Sequence, residues 1–254
     1  MSRQSQPLLL TVLLSAGCAL APPPTTTTLH DKYRVTPTGA TDAFEEPADH
    51  TALAAVLASG GHAGDVFAGT DRRDAKTSVA TGGVTKYSTV TALRASLRSD
   101  AEMRALGITK APDSERTSDE QGNVKVNGFI YAISKESDND FHLIVGDSNC
   151  GQPCKSAGNQ GSCFVNVEVS GLPPSNSPDR QKLADVRSKF LAFFNGTDPG
   201  TTKGYDKFDP PIPVAITGSL FFDVDHKACV VGPGDFKPNS SWEIHPITDI
   251  AFEP

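Results

Sequence analysis

No stretch of this chain is long and apolar enough to cross a bilayer as a helix. The apolar run Leu8 to Leu14 falls far short of the roughly 20 residues that a span requires, and it gives way to Pro22-Pro23-Pro24 and Thr25 to Thr28. Basic charge is also scarce. With 23 Lys and Arg against 30 Asp and Glu, a net charge of -7 and a pI near 5.3, phosphate neutralisation alone cannot hold a nucleic acid, and no basic run is visible. Several chemical signatures are missing too. There is no His-Glu-x-x-His, no glycine-flanked serine elbow, no phosphate-binding glycine loop and no dinucleotide fingerprint; Gly60-Gly61 and Gly82-Gly83 read as spacers.

What is present begins with an export signal. Arg3 supplies a positive start, Leu8 to Leu14 an apolar centre, and small residues follow, so residues 1–17 read as a signal peptide. The string Leu13-Leu14-Ser15-Ala16-Gly17-Cys18 resembles the bacterial lipoprotein signal, with Ser15 where that family usually carries Leu. The resemblance implies that Cys18 is lipidated and becomes the mature N-terminus. It places the protein on a membrane of the bacterial cell envelope, periplasmic or outer-membrane associated, and stable anchoring takes at least two lipid chains. The competing route is cleavage after Ala19-Leu20-Ala21, which yields a secreted soluble protein but leaves Pro22 first, a poor choice for that peptidase.

Cysteine arithmetic favours the anchor. Of five cysteines, a lipidated Cys18 leaves Cys150, Cys154, Cys163 and Cys229 as an even set, expected to form two disulfides in an oxidising compartment. Three connectivities remain open. A zinc site is the competing use, but Cys150 and Cys154 lack a matching second pair.

A chain of 254 residues with 37% hydrophobic and 7% aromatic content can build one good core. Residues 18–86 are rich in Pro, Thr, Ala, Gly and Asp, and read as a low-complexity tether, largely disordered. Within it, Leu53, Val56 and Leu57 suggest a short helix over Asp49 to Ser59. Residues 87–121 read as a helix and linker: Val90, Leu93, Leu97, Met103 and Leu106 repeat at helical spacing from Thr89 until Gly107 stops them. From residue 122 the texture changes to strands, expected at Val124 to Ile133, Phe141 to Val145, Cys163 to Val169, Val214 to Phe222 and Trp242 to Ile250. One helix interrupts them, with Ser177 as N-cap, Pro178 at the first position, Leu183, Val186, Phe190 and Phe194 as the buried face, and Gly196 as the stop.

Three strands, a helix and two strands is the order of the oligonucleotide/oligosaccharide-binding (OB) barrel, and residues 122–254 resemble that five-stranded Greek-key fold. The expected fold is therefore mainly β with one inserted helix, an OB-like barrel behind a partly disordered, partly helical N-terminal region. In that topology the loop carrying Cys150 and Cys154, with Cys163 at its edge, lies at the same end as the loop carrying Cys229, so a disulfide between the two loops is geometrically sensible. Strand parity points Phe141, Leu143, Val145, Val165, Val167, Val169, Trp242 and Ile244 inward. Asp138, Asp140, His142, Asn166, Glu168, Glu243 and His245 then collect on the outer face, where barrels of this type commonly bind ligands.

The run from Gly128 to Val145 and the string Trp242-Glu243-Ile244-His245-Pro246-Ile247 also look similar to a family of exported bacterial proteins of unknown function. That resemblance covers about the last half of the chain and implies no chemistry. From the residues themselves, two functions compete. One is a non-enzymatic, membrane-tethered binding or assembly module, with an envelope protein or a polysaccharide as partner and no cofactor expected. The other is a metal-dependent hydrolase, acting on a phosphodiester or another ester, in which Asp138, Asp140, His142, Glu243 and His245 are the catalytic candidates and His142, Glu243 and His245 the metal ligands. Against the second, the spacing matches no metal signature, and a plainer reading makes Lys135 to Asp140 a solvated hairpin turn with the histidines at the surface. His226 beside Asp223 and Asp225 reads as a loop cluster, Ser240 and Ser241 as ordinary hydroxyls, and Trp242 as core.

Overall fold

The structure is a computed structural model that describes residues 26–39, 65–150, 163–200 and 204–254, and it is mainly β. In chain order the elements are β1 (Thr27–Leu29), β2 (Tyr33–Pro37), α1 (Arg73–Lys76), β3 (Val84–Tyr87), α2 (Val90–Ser96), α3 (Asp100–Arg104) and β4 (Asn123–Lys135). They continue with β5 (Phe141–Gly146), β6 (Phe164–Val169), α4 (Arg180–Phe193), β7 (Asp206–Phe222) and β8 (Trp242–Phe252). The strands form one mixed sheet in the order β1-β2-β7-β8-β6-β5-β4-β3, and β7 also pairs with β4. The β6–β8 and β3–β4 ladders are parallel, and the others are antiparallel.

Alternation sets the interior. Phe141, Leu143, Val145, Val165, Val167, Val169, Trp242 and Ile244 all join one apolar cluster, together with Val186 and Phe190 of α4. At a typical 1.5–3 kcal/mol per large apolar side chain, this face supplies the main driving force for folding. Trp242 is core, and its indole N–H donates to the Arg98 carbonyl at 2.8 Å.

Three departures from the sequence reading concern the secondary structure and the N-terminal region. The expected helix over 89–106 is two short ones: Ser99 has extended backbone, and its hydroxyl accepts from Glu102 N–H, a capping box that starts α3 afresh. Ser177 does not cap α4. Asp179 is the N-cap residue, and its carboxylate instead accepts from Val79 N–H at 3.0 Å.

The third departure is the tether. Residues 27–37 form a hairpin whose second strand pairs with β7 through Arg34↔Asp209 to Pro37↔Asp206. Residues 65–80 lie across the sheet. Phe67 N–H donates to Leu172 O at 3.0 Å and Ala68 N–H to Asp138 O at 2.7 Å, and Val66, Phe67, Ala68, Ala75 and Ala80 are buried. These contacts are non-local, so no short-range periodicity announces them. The helix expected over 49–59, the signal peptide and Cys18 lie outside the described residues, as does Cys154.

Cys150 and Cys163 form a disulfide with Cα atoms 5.8 Å apart, and Cys229 is disulfide-bonded as well. The first staple closes the β5–β6 loop on itself.

One ion pair locks residues 65–80 to the body. Arg72 and Glu120 are both buried and meet through two parallel bonds, Nη1–Oε1 at 2.7 Å and Nη2–Oε2 at 2.9 Å. Arg72 also donates to the Phe222 and Glu115 carbonyls, and Glu120 accepts from the Phe222 and Thr117 amides. Removing one partner strands the other charge, so Arg72→Met should lower unfolding free energy by about 3–5 kcal/mol in urea titrations. Lys189→Ala, which breaks an exposed pair with Asp249, should leave the midpoint unchanged.

Candidate metal centre

On the sheet face opposite the apolar cluster, alternation places polar groups side by side. His142 of β5 stands opposite Glu168 of β6, and Asn166 of β6 opposite Glu243 of β8. His245 follows two residues later on the same face of β8. These are the residues that the sequence assigned to one outer face, and they do share a face. They are not at the surface. Asp138, Asp140, His142, Glu168, Glu243 and His245 are each no more than 1% exposed.

Two segments cover them. Residues 65–80 bring Lys76, which is buried, and the segment after β7 brings Asp223 and His226, also buried. The turn before β5 is a hairpin turn as the sequence suggests, with Glu136 N–H donating to Asp140 O at 2.9 Å. It is not solvated: Asp138 and Asp140 face inward. Close approach secures the cover, because an added Cβ on Gly171 would lie 2.6 Å from Phe67 Cα.

Among the described residues, this covered face therefore holds five carboxylates (Asp138, Asp140, Glu168, Asp223, Glu243), three imidazoles (His142, His226, His245) and one ammonium, Lys76. Glu136 joins them at the rim, with Oε1 2.9 Å from His142 Nδ1. Three sets of donors lie within 4.8 Å of one another: Glu136, His142 and Glu168; Asp140, Glu168 and His245; Asp223, His226 and Glu243. Ligands of one ion at about 2.1 Å can be at most about 4.2 Å apart, so each set needs only small movements to close on a cation.

His245 is the centre of the arrangement. Its Nδ1 lies 2.9 Å from Glu168 Oε2 and 3.6 Å from Glu243 Oε2, and its Nε2 lies 3.3 Å from Asp140 Oδ2. None of these approaches has hydrogen-bond alignment. Both ring nitrogens, Glu168 Oε2, Asp140 Oδ2 and both Glu243 oxygens are buried without a hydrogen bond among the described residues. Such atoms normally find one. Glu243 Oε1 also sits 2.6 Å from His226 Nδ1, and the His142 and His226 rings stack at 5.7 Å.

Without a cation, the cluster balances itself with protons. Burial opposes charge on His226, but Asp223 and Glu243 outweigh it and raise the imidazole to about 10. His245 behaves likewise: burial opposes its charge, and Glu168 and Glu243 raise it to about 9. Burial and the neighbouring Glu136 raise Asp138 to about 7, and burial, Asp138 and Glu168 push Asp140 well above the usual carboxylate range. Glu168 goes the other way. Burial works against its charge, yet the charge of the adjacent His245 holds it well below that range.

All five candidates named from the sequence are buried on this face, but the expected ligand trio is divided: His142, His245 and Glu243 each fall in a different donor set, and Asp138 falls in none. Glu136, Glu168, Asp223, His226 and Lys76 were not among them. Glu168 was visible by parity, whereas His226 and Asp223 sit on a segment whose fold-back has no local signal. Ser240 and Ser241 serve structure, since the Ser240 hydroxyl donates to Asp100 at 2.7 Å and the Ser241 hydroxyl to the His226 carbonyl at 2.7 Å. Two surface cavities of about 240 and 310 Å³ lie elsewhere: Phe194 and Phe208 line one, Thr89 and Phe129 the other, and neither touches a donor of the cluster. No protein-family model, curated protein or solved structure matches this chain, so the reading of the site rests on its own geometry.

Proposed function

We propose that this protein is an exported, lipid-anchored module of the bacterial cell envelope that binds a divalent metal ion inside its β domain, and that it is not an enzyme. The observation that carries the metal is His245, buried with both ring nitrogens against carboxylate oxygens and no aligned hydrogen bond. Mixed imidazole and carboxylate donors suit zinc, manganese, iron or nickel better than calcium or magnesium. The observation that favours binding over hydrolysis is enclosure. Every donor on β5, β6 and β8 is covered, and a closed site leaves no position for a diffusing substrate.

The domain is read as OB-like. Support comes from the succession of ladders β4–β5–β6–β8–β7, the additional β7–β4 pairing, the parallel β6–β8 ladder and the placement of α4 between β6 and β7. The export reading is supported by the disulfides, which persist in oxidising compartments. Lipid on Cys18 supplies the membrane partner, and an envelope protein or polysaccharide remains the partner class for the exterior.

Two outcomes are expected. Zinc at one hundred times its dissociation constant should stabilise the folded state by about 2.7 kcal/mol. For a domain of this size that raises Tm by about 5–10 °C. The shift should vanish in His245→Ala and, at one fixed zinc concentration, be larger at pH 8 than at pH 6, because His245 must lose its proton to become a ligand. No shift at either pH sinks the metal reading, and zinc-dependent phosphodiester cleavage lost in His245→Ala sinks the binding-only reading. Separately, Cys18→Ser should move the protein from the membrane fraction to the soluble one; unchanged fractionation would remove the anchor.

A further inference from the structure

We propose that Glu168 bridges two divalent cations in this cluster. The inference rests on the metal-binding reading and adds its stoichiometry and its pivotal ligand. Two of the donor sets share Glu168: one combines it with Glu136 and His142, the other with Asp140 and His245. Strand order makes this possible. Glu168 lies on β6, the strand between β5 and β8, with His142 directly across one ladder. His245 approaches from the other side, with Nδ1 2.9 Å from Glu168 Oε2. A carboxylate has two oxygens, so one residue can face an imidazole on each flank.

Charge points to the same number. With Lys76 set against Asp223 and His226 against Glu243, the carboxylates of Glu136, Asp138, Asp140 and Glu168 remain, four negative charges when ionised. One divalent ion leaves two of these uncompensated in a buried site; two ions leave none. Buried charge without a counter-charge is costly, so the second ion is favoured once the first is in place.

The third set is built differently. Asp223 Oδ1 accepts from the Asp225 and His226 amides, and its Oδ2 lies 3.6 Å from Lys76 Nζ. His226 already pairs with Glu243 at 2.6 Å. These groups close the wall of the site with protein counter-charges and need no ion of their own.

The test uses the metal-free full-length protein, loaded with manganese(II) and freed of excess. Elemental analysis should find two ions per chain, and electron paramagnetic resonance should show exchange coupling between them. Glu168→Gln, which keeps the side-chain volume, should hold no more than one ion and lose the coupled signal. His142→Gln, which spares the second set, should hold one. Should Glu168→Gln not fold, the wild-type stoichiometry and the His142→Gln protein decide the matter alone. One ion per chain, or two without coupling, overturns the bridge while leaving the metal-binding reading intact; no bound ion overturns both.

Discussion

A carboxylate withdrawn from water must meet positive charge, because transferring an ion into the protein interior costs several kcal/mol even after relaxation. Among the described residues, the covered polar face of the sheet gathers five such groups around one lysine ammonium. Much of the architecture follows from how that imbalance is held. Three imidazoles stand among the acids, and without a cation the cluster keeps protons on His226 and His245 while Asp138 and Asp140 resist ionisation. A bound metal ion would perform the same neutralisation with stronger, more directional bonds.

The two faces of the sheet divide the labour. One face of β5, β6 and β8 packs Phe141, Leu143, Val167 and Ile244 into the apolar cluster with Val186 and Phe190 of α4. The other face carries His142, Glu168, Glu243 and His245, and it can stay dry only because other chain segments cover it. Residues 65–80 are fastened by the Arg72–Glu120 pair and by backbone bonds to Leu172 and Asp138. The stretch after β7 is fastened by Ser241, whose amide N–H donates to Asp100 and whose hydroxyl donates to the His226 carbonyl. The covers and the cluster depend on each other: the two covers exclude water, and both contribute charged groups.

Strand alternation was legible from residue types alone, since Phe141, Leu143 and Val145 against His142, and Trp242 and Ile244 against Glu243 and His245, admit one burial pattern. It assigned the polar residues to a common face but could not reveal that the face is covered. That information lies in long-range contacts: Ala68 reaches Asp138, Lys76 reaches Asp223 and His226 reaches Glu243. Residues 27–37 and 65–87 looked like tether because their composition is poor in large apolar groups. Their order comes from backbone pairing with β7, β4 and Leu172, which composition does not record. The break between α2 and α3 was legible in principle, because Ser99 and Glu102 form a capping box at the required spacing.

A closed, acid-rich cluster with histidine at its centre is the reason for proposing that this protein binds a metal ion. The most direct measurement is X-ray diffraction from zinc-loaded crystals at the zinc absorption edge. The account predicts anomalous density between β5, β6 and β8, within bonding distance of His245 and Glu168. Density confined to the protein surface, or an interior cluster with none, would contradict it.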